Sequence, residues 1–228
     1  MYTLVIIAIV LFVLRSKVSA IYKWYKNRRR RRSDNCQLRG TYSERELISK
    51  LLRYGIPPVT LYHDLYVELS DGQYSQVDAV LLTRVGIIVL EVKDYSGWLF
   101  GKGYQEYWTQ VMAYGKSKVR FYNPVMQNKG HIGALRRRLA GMADVPYFSV
   151  IVFAGSCIFK DVSHIPSDTR VIYFENIIPE IENIIQNNPP ANYKDKRGVV
   201  NALNECVANG DDKNIVNGHI RNLRQKYG

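Results

Sequence analysis

Two carboxylates and a lysine stand at positions where charge is costly. Asp78 lies in the run QVDAVLL, and Glu91 and Lys93 in GIIVLEVKD; both runs are apolar on alternate and intervening positions alike. Strands with no solvated face belong in the middle of a covered sheet. A four-residue loop, Thr83 to Gly86, pairs Leu82 with Ile87, Val80 with Val89, and Asp78 with Glu91. Directly opposed residues hold their Cβ atoms about 4.5–5.5 Å apart, and like charges there repel. Burial makes the repulsion worse. A divalent cation reverses its sign, because Mg²⁺ takes carboxylate oxygens at about 2.0–2.1 Å. Lys93 lies two residues beyond Glu91 on the same face. A metal held by Asp78 and Glu91 beside a lysine can polarise a phosphodiester and activate water. The lysine would orient that water or stabilise charge developing in the transition state. A slip of one residue in the register would carry Asp78 to the opposite face. The plain alternative is a Glu-x-Lys salt bridge on a solvated strand face. No such face is visible here, and a second acid falls opposite.

Glu44 and Gln127 are the next candidates. Glu44 edges the apolar stripe of a helix predicted over Tyr42 to Tyr54. It either closes a capping box with Thr41 or, if Ser43 and Glu46 form the box, is free to face the sheet. Asn123-Pro124 opens a helix running to about Leu139 that sets Gln127 and His131 on one face. There Gln127 could hydrogen-bond a phosphate, a water or a metal-bound carboxylate. Cys36, Cys157 and Cys206 are odd in number and far apart, with neither disulfide nor metal-ligand spacing, which suits a reducing compartment. His63, His164 and His219 show no ligand spacing either. No phosphate-binding loop, dinucleotide fingerprint, serine elbow or zinc pattern occurs.

The elements that must position these residues follow a mixed order. A β-rich stretch spans Val59 to Leu69, and Asp71-Gly72 turns it into the hairpin. A second hairpin, Trp98–Phe100 with Tyr107–Met112, follows Asp94. Beyond the Asn123-Pro124 helix come strands at Phe148–Phe153 and Val171–Phe174, a helix at Ile177–Gln186, and two amphipathic helices over Val199–Val207 and Ile215–Lys226. The expected class is α/β, an α+β mixed sheet flanked by helices.

The chain has 228 residues, 46% apolar and 23% charged, which is globular composition. Its net charge of +12 is local: residues 1–39 carry ten Lys/Arg and one acid, and the remainder carries 22 against 19. Pervasive basicity is therefore no argument for nucleic acid. Met1 to Leu14 is uncharged, and extension through Arg15 and Lys17 to Ile21 gives a membrane span if those cations snorkel. Tyr22, Trp24 and Tyr25 then fall at the interface, and the five arginines Arg28–Arg32 follow. A signal peptide cleaved after Ala20 is the weaker account, because a basic leading region is missing. The expectation is a single-pass membrane protein, anchored through residues 1–25, with a polybasic linker over 26–39 that keeps the C-terminal domain cytoplasmic.

The order of Glu44, Gln76-Val77-Asp78, Gly86-Ile87, Leu90-Glu91-Val92-Lys93, Gly97, Trp108 and Asn123-Pro124-x-x-Gln127-x-x-x-His131 resembles the nuclease-related domain (NERD) family, a branch of the PD-(D/E)XK restriction-endonuclease-like superfamily. The resemblance covers residues 40–150, with 151–228 as an αβ extension of the same domain. It implies a restriction-endonuclease-like core and a Mg²⁺- or Mn²⁺-dependent phosphodiesterase acting on nucleic acid, DNA rather than RNA. It assigns Asp78 and Glu91 as metal ligands, Lys93 as the lysine, Glu44 as the helix acid and Gln127 as the later glutamine. Family members commonly carry glycine where Ser43 stands. The alternative is a catalytically inactive scaffold that binds nucleic acid or protein at the membrane.

Overall fold

Apolar and β-branched side chains crowd three consecutive segments, Leu61–Glu68 (β1), Tyr74–Thr83 (β2) and Gly86–Asp94 (β3), and these pair antiparallel in sequence order. The computed structural model describes residues 39–69, 72–112 and 115–227, which belong to one compact unit. The anchor expected over residues 1–25 and Arg28–Arg32 lie outside the described residues. Among the described residues no helix is long and apolar enough to cross a membrane.

The hairpin has the register expected from its loop: Leu82 faces Ile87 and Val80 faces Val89. Gly86 closes it at φ 143°, where a Cβ would come within 2.3 Å of the Pro146 carbonyl oxygen, so the turn requires glycine. Both faces are buried. Val80, Ile87 and Val89 pack with Leu65, Leu135 and Leu203 on one side. The intervening Leu81, Ile88 and Leu90 are also fully covered. Full burial of each such side chain is worth about 1.5–3 kcal/mol, so the hairpin anchors the core.

Tyr147–Ala154 (β7) pairs parallel with β3, and Thr169–Tyr173 (β9) pairs parallel with β7, giving the order β1-β2-β3-β7-β9. A second sheet was not foreseen. Gly97–Lys102 (β4) and Tyr107–Met112 (β5) form the expected second hairpin, but Ser117–Tyr122 (β6) and Cys157–Ser163 (β8) extend it to the order β6-β5-β4-β8. The described residues therefore form two mixed sheets flanked by helices rather than one. Tyr42–Tyr54 (α1) lies against β2 and β3, and Pro124–Arg138 (α2) against β3 and β7. Ile177–Asn187 (α3), Lys196–Asn209 (α4) and Lys213–Tyr227 (α5) complete the chain, with α4 on β1.

The start of α2 is fixed by Asn123, which is fully buried. Its Oδ1 accepts from the Val125 amide at 2.9 Å, and its Nδ2 donates to the carbonyls of Lys102, Gly103 and Gln105. One side chain thus caps the helix and pins it to the β4–β5 turn. Removing a cap costs about 0.5–2 kcal/mol, and each stranded buried acceptor about 1–3. Asn123→Ala should therefore lower stability by roughly 3 kcal/mol in urea titration, and a loss below 1 kcal/mol would refute the double role.

Candidate active site

Asp78 sits where β2 parts from both neighbours. The ladder to β1 runs to His63↔Ala79 and resumes at Leu65↔Val77, so Asp64 and Asp78 are passed over. Asp64 has φ 51°, a left-handed conformation that turns its peptide out of the ladder. Arg39 Nε at 3.0 Å and Gln76 Nε2 at 2.8 Å hold its carboxylate in place. On the other side the ladder to β3 ends at Ala79↔Leu90, one step before Asp78 and Glu91. Asp78 Oδ2 accepts instead from the Val92 amide at 2.8 Å.

Glu91 is only 1% exposed. Its Oε1 lies 2.7 Å from Lys93 Nζ, and Lys93 Nζ also donates to Gln127 Oε1 at 3.0 Å. His131 Nε2 lies 3.2 Å from Glu91 Oε2, both atoms shut off from solvent. Behind the imidazole, Ser75 Oγ and His131 Nδ1 are 2.7 Å apart. Asn128, one residue beyond Gln127, donates to the Val89 carbonyl at 3.0 Å and to Ser149 Oγ at 2.9 Å, which fixes α2 over the sheet.

The two acids are shifted in opposite directions. Burial, and then the neighbouring Glu91 and Glu44 charges, hold the Asp78 carboxyl well above the usual carboxylate range. Burial pushes Glu91 up as well, but the Lys93 ammonium and His131 outweigh it and leave Glu91 below its ordinary value. Burial pulls Lys93 down, and Glu91 more than offsets it, so the ammonium stays charged. The pocket therefore sets an ion pair, with Glu91 buried and Lys93 partly exposed, beside a carboxyl whose ionisation a nearby positive charge would favour.

That arrangement fits a hard cation. Glu91 Oε2 is buried with His131 Nε2 3.2 Å away, and burial and the Glu91 charge raise the Asp78 carboxyl, an effect a cation would relieve. Among the described residues no group of three or more His, Cys, Asp or Glu could hold a metal. A pair of carboxylates suits Mg²⁺, which keeps several waters and substrate oxygens in its shell. Asp78 and Glu91 are the residues that would hold it.

Four of the five site residues expected from the sequence converge: Asp78, Glu91, Lys93 and Gln127. Gln127 meets the lysine rather than a carboxylate. Glu44 is at the margin. Its amide donates to Thr41 Oγ1 at 3.4 Å and Thr41 Oγ1 donates to Glu44 Oε1 at 2.9 Å, so it serves the helix cap although its charge reaches Asp78. Glu46 pairs with Arg53 and leaves Ser43 free to donate to Asp94 Oδ2, at the end of β3. His131 was missed as a site residue, and its signal was the helical face it shares with Gln127.

The nuclease-related domain family matches residues 39–154, just over half of the chain, and the chain belongs to that family. It is also similar to an uncharacterized protein of Bacillus anthracis, with 26% identity over 189 residues that cover 80% of this chain and 83% of the relative. No solved structure matches it.

Proposed function

We propose that this protein hydrolyses phosphodiester bonds in nucleic acid, DNA in preference to RNA, with Mg²⁺ or Mn²⁺ at Asp78 and Glu91. The family supports a nuclease-like activity. The observation that carries the reading is geometric: buried Glu91 and half-buried Asp78 share one pocket, with Lys93 Nζ held between Glu91 and Gln127. The bound cation would supply Lewis-acid polarisation of a phosphoryl oxygen and a more acidic water. Asp78 and Glu91 would hold the cation, Asp78 as its carboxylate with the proton released to solvent. Glu91 keeps Lys93 charged, and Gln127 and Glu91 together hold Nζ where it can meet negative charge developing on a phosphate. His131 backs Glu91, and Asn128 keeps Gln127 at its height above the sheet. The uncharged run Met1–Leu14 within residues 1–25 and the arginines Arg28–Arg32 support attachment to a membrane with the domain in the cytoplasm.

The direct test offers the full-length protein labelled single- and double-stranded DNA and RNA with either cation. Asp78→Ala should slow cleavage at least ~100-fold, the scale of losing one transition-state contact. Identical behaviour of the two proteins on every substrate would end the enzyme reading. A second reading, a non-cutting scaffold, has one observation in its favour: Lys93 is already engaged by both Glu91 and Gln127. Calorimetric titration with Mg²⁺ separates them, since a folded protein that takes up no cation with or without DNA is the scaffold.

A further inference from the structure

The second sheet turns only one face to the core. Leu99 and Trp108 point inward, with Phe121 packed against them, and Trp108 stacks on Phe153 at 6.2 Å. Side chains alternate along a strand, so Trp98, Phe100, Tyr107 and Tyr122 share the other face. The register sets Tyr107 beside Tyr122, with ring centroids 6.1 Å apart, and carries Trp98 and Phe100 on the adjoining strand. All four are half-buried or exposed.

Cations are interleaved with these rings. The Arg120 guanidinium lies 4.8 Å over the Tyr107 ring, and Lys160 Nζ lies 5.0 Å over Trp98. Lys118 pairs with Val111, itself opposite Trp98, so it points outward too. A register shift between Leu99 and Phe100 turns both Lys160 and Asp161 toward this side. Asp161 is the acid among them.

An apolar partner would gain little from a face whose rings are topped by ammonium and guanidinium groups. A flexible polyanion with planar rings matches it at every position: bases stack on aromatics at about 1–3 kcal/mol each, and phosphates release counterions to Lys and Arg. A duplex keeps its bases stacked on one another and offers the aromatics no ring faces. Only Asp94, Tyr95 and Ser96 separate Lys93 from β4, so a strand lying here is beside the candidate site along the chain.

We propose that the outer face of the β6-β5-β4-β8 sheet binds single-stranded nucleic acid through Trp98, Phe100, Tyr107 and Tyr122, with Lys118, Arg120 and Lys160 on its phosphates. This rests on the nuclease reading for the choice of polymer, while the binding itself needs no cleavage. The test uses full-length protein carrying Asp78→Asn, in chelator, with fluorescence anisotropy of a labelled oligothymidine of about twenty nucleotides, enough to cross one sheet face. Trp98→Ala with Tyr107→Ala should weaken binding about tenfold or more. Lys118→Glu with Arg120→Glu, at exposed positions on β6, should weaken it and flatten its salt dependence. Duplex of the same length should compete poorly. Unchanged affinity in both variants overturns the proposal. So does displacement by duplex or by inorganic polyphosphate as effective as by unlabelled strand, or binding to phosphatidylserine vesicles lost with the same substitutions when the oligonucleotide does not bind. Strand binding of this pattern without cleavage by the unsubstituted protein keeps the surface and removes the nuclease. Cleavage with binding indifferent to both variants does the reverse.

Discussion

Asp78→Asn should raise the melting temperature of the protein without added metal at neutral pH and abolish the proposed metal-dependent cleavage. The carboxyl of Asp78 is held above its ordinary range by burial and by Glu91 and Glu44. A group raised on folding adds stability below its unfolded value, about 4 for aspartate, and that contribution is lost as pH rises through the folded value. The wild type therefore weakens toward neutrality, whereas asparagine does not titrate. Its Oδ1 can still accept from the Val92 amide, and its amide can donate toward Glu91. Exchanging a poorly compensated, half-buried charge for a neutral group is worth about 1–3 kcal/mol, or roughly 2–4 °C per kcal/mol in a domain this size. The gap between the two melting curves should widen from pH 4 to pH 8. Saturating Mg²⁺ should narrow it, because only the wild type gains from ligation. A gap independent of pH would mean the two acids do not repel, and the argument for a cation would fall with it.

Lys93→Met is the second large effect, with the opposite sign. Breaking a buried ion pair by removing one partner costs about 3–5 kcal/mol, because the other charge is left uncompensated. Glu91 at 1% exposure is such a case, with His131 Nε2 at 3.2 Å as its remaining neighbour. Adding Glu91→Gln should restore most of the loss, and a double-mutant cycle in denaturant should give a coupling of about 2 kcal/mol or more. Cleavage should stay absent in all three variants. The pH dependence also has a fixed sign. Glu91 is lowered on folding, chiefly by Lys93 against the pull of burial, so it stabilises above its unfolded value and ceases to do so as pH falls. The Lys93→Met protein should lack that component of acid sensitivity. A coupling near zero would show the contact to be incidental.

The pieces that were legible beforehand share one property: their geometry follows from a local period or a short loop. Two runs apolar on both faces and a four-residue turn sufficed for the β2–β3 register, and with it for the company of Asp78, Glu91 and Lys93. Asn123-Pro124 announced α2 for the same reason. What escaped notice depends on distant partners. β6 reads SKVRFY, four of its six residues are exposed, and it is a strand because β5 pairs with it. β8 is a strand because β4 lies alongside. The left-handed turn at Asp64 is sustained by Arg39 and Gln76, so nothing within its own neighbourhood of sequence reveals it. Glu44 was open between cap and site. The hydroxyl of Thr41 claims it for the cap, and Ser43, which could have led a rival box, is drawn to Asp94.

The parallel pairing of β3 with β7 has a consequence for how the protein is made. Between Asp94 and Tyr147 the chain must build three strands and α2 before β3 acquires its neighbour. Long-range pairing of this kind forms slowly, because loop closure precedes its reward. On the ribosome the β2–β3 hairpin thus emerges with both faces apolar and an unpaired edge, while β7 and α4, which complete its cover, are still unmade. Such an intermediate invites aggregation. A transcript truncated before Tyr147 would encode Asp78, Glu91, Lys93 and Gln127 and still yield insoluble material, so for this protein the vulnerable interval is its own synthesis.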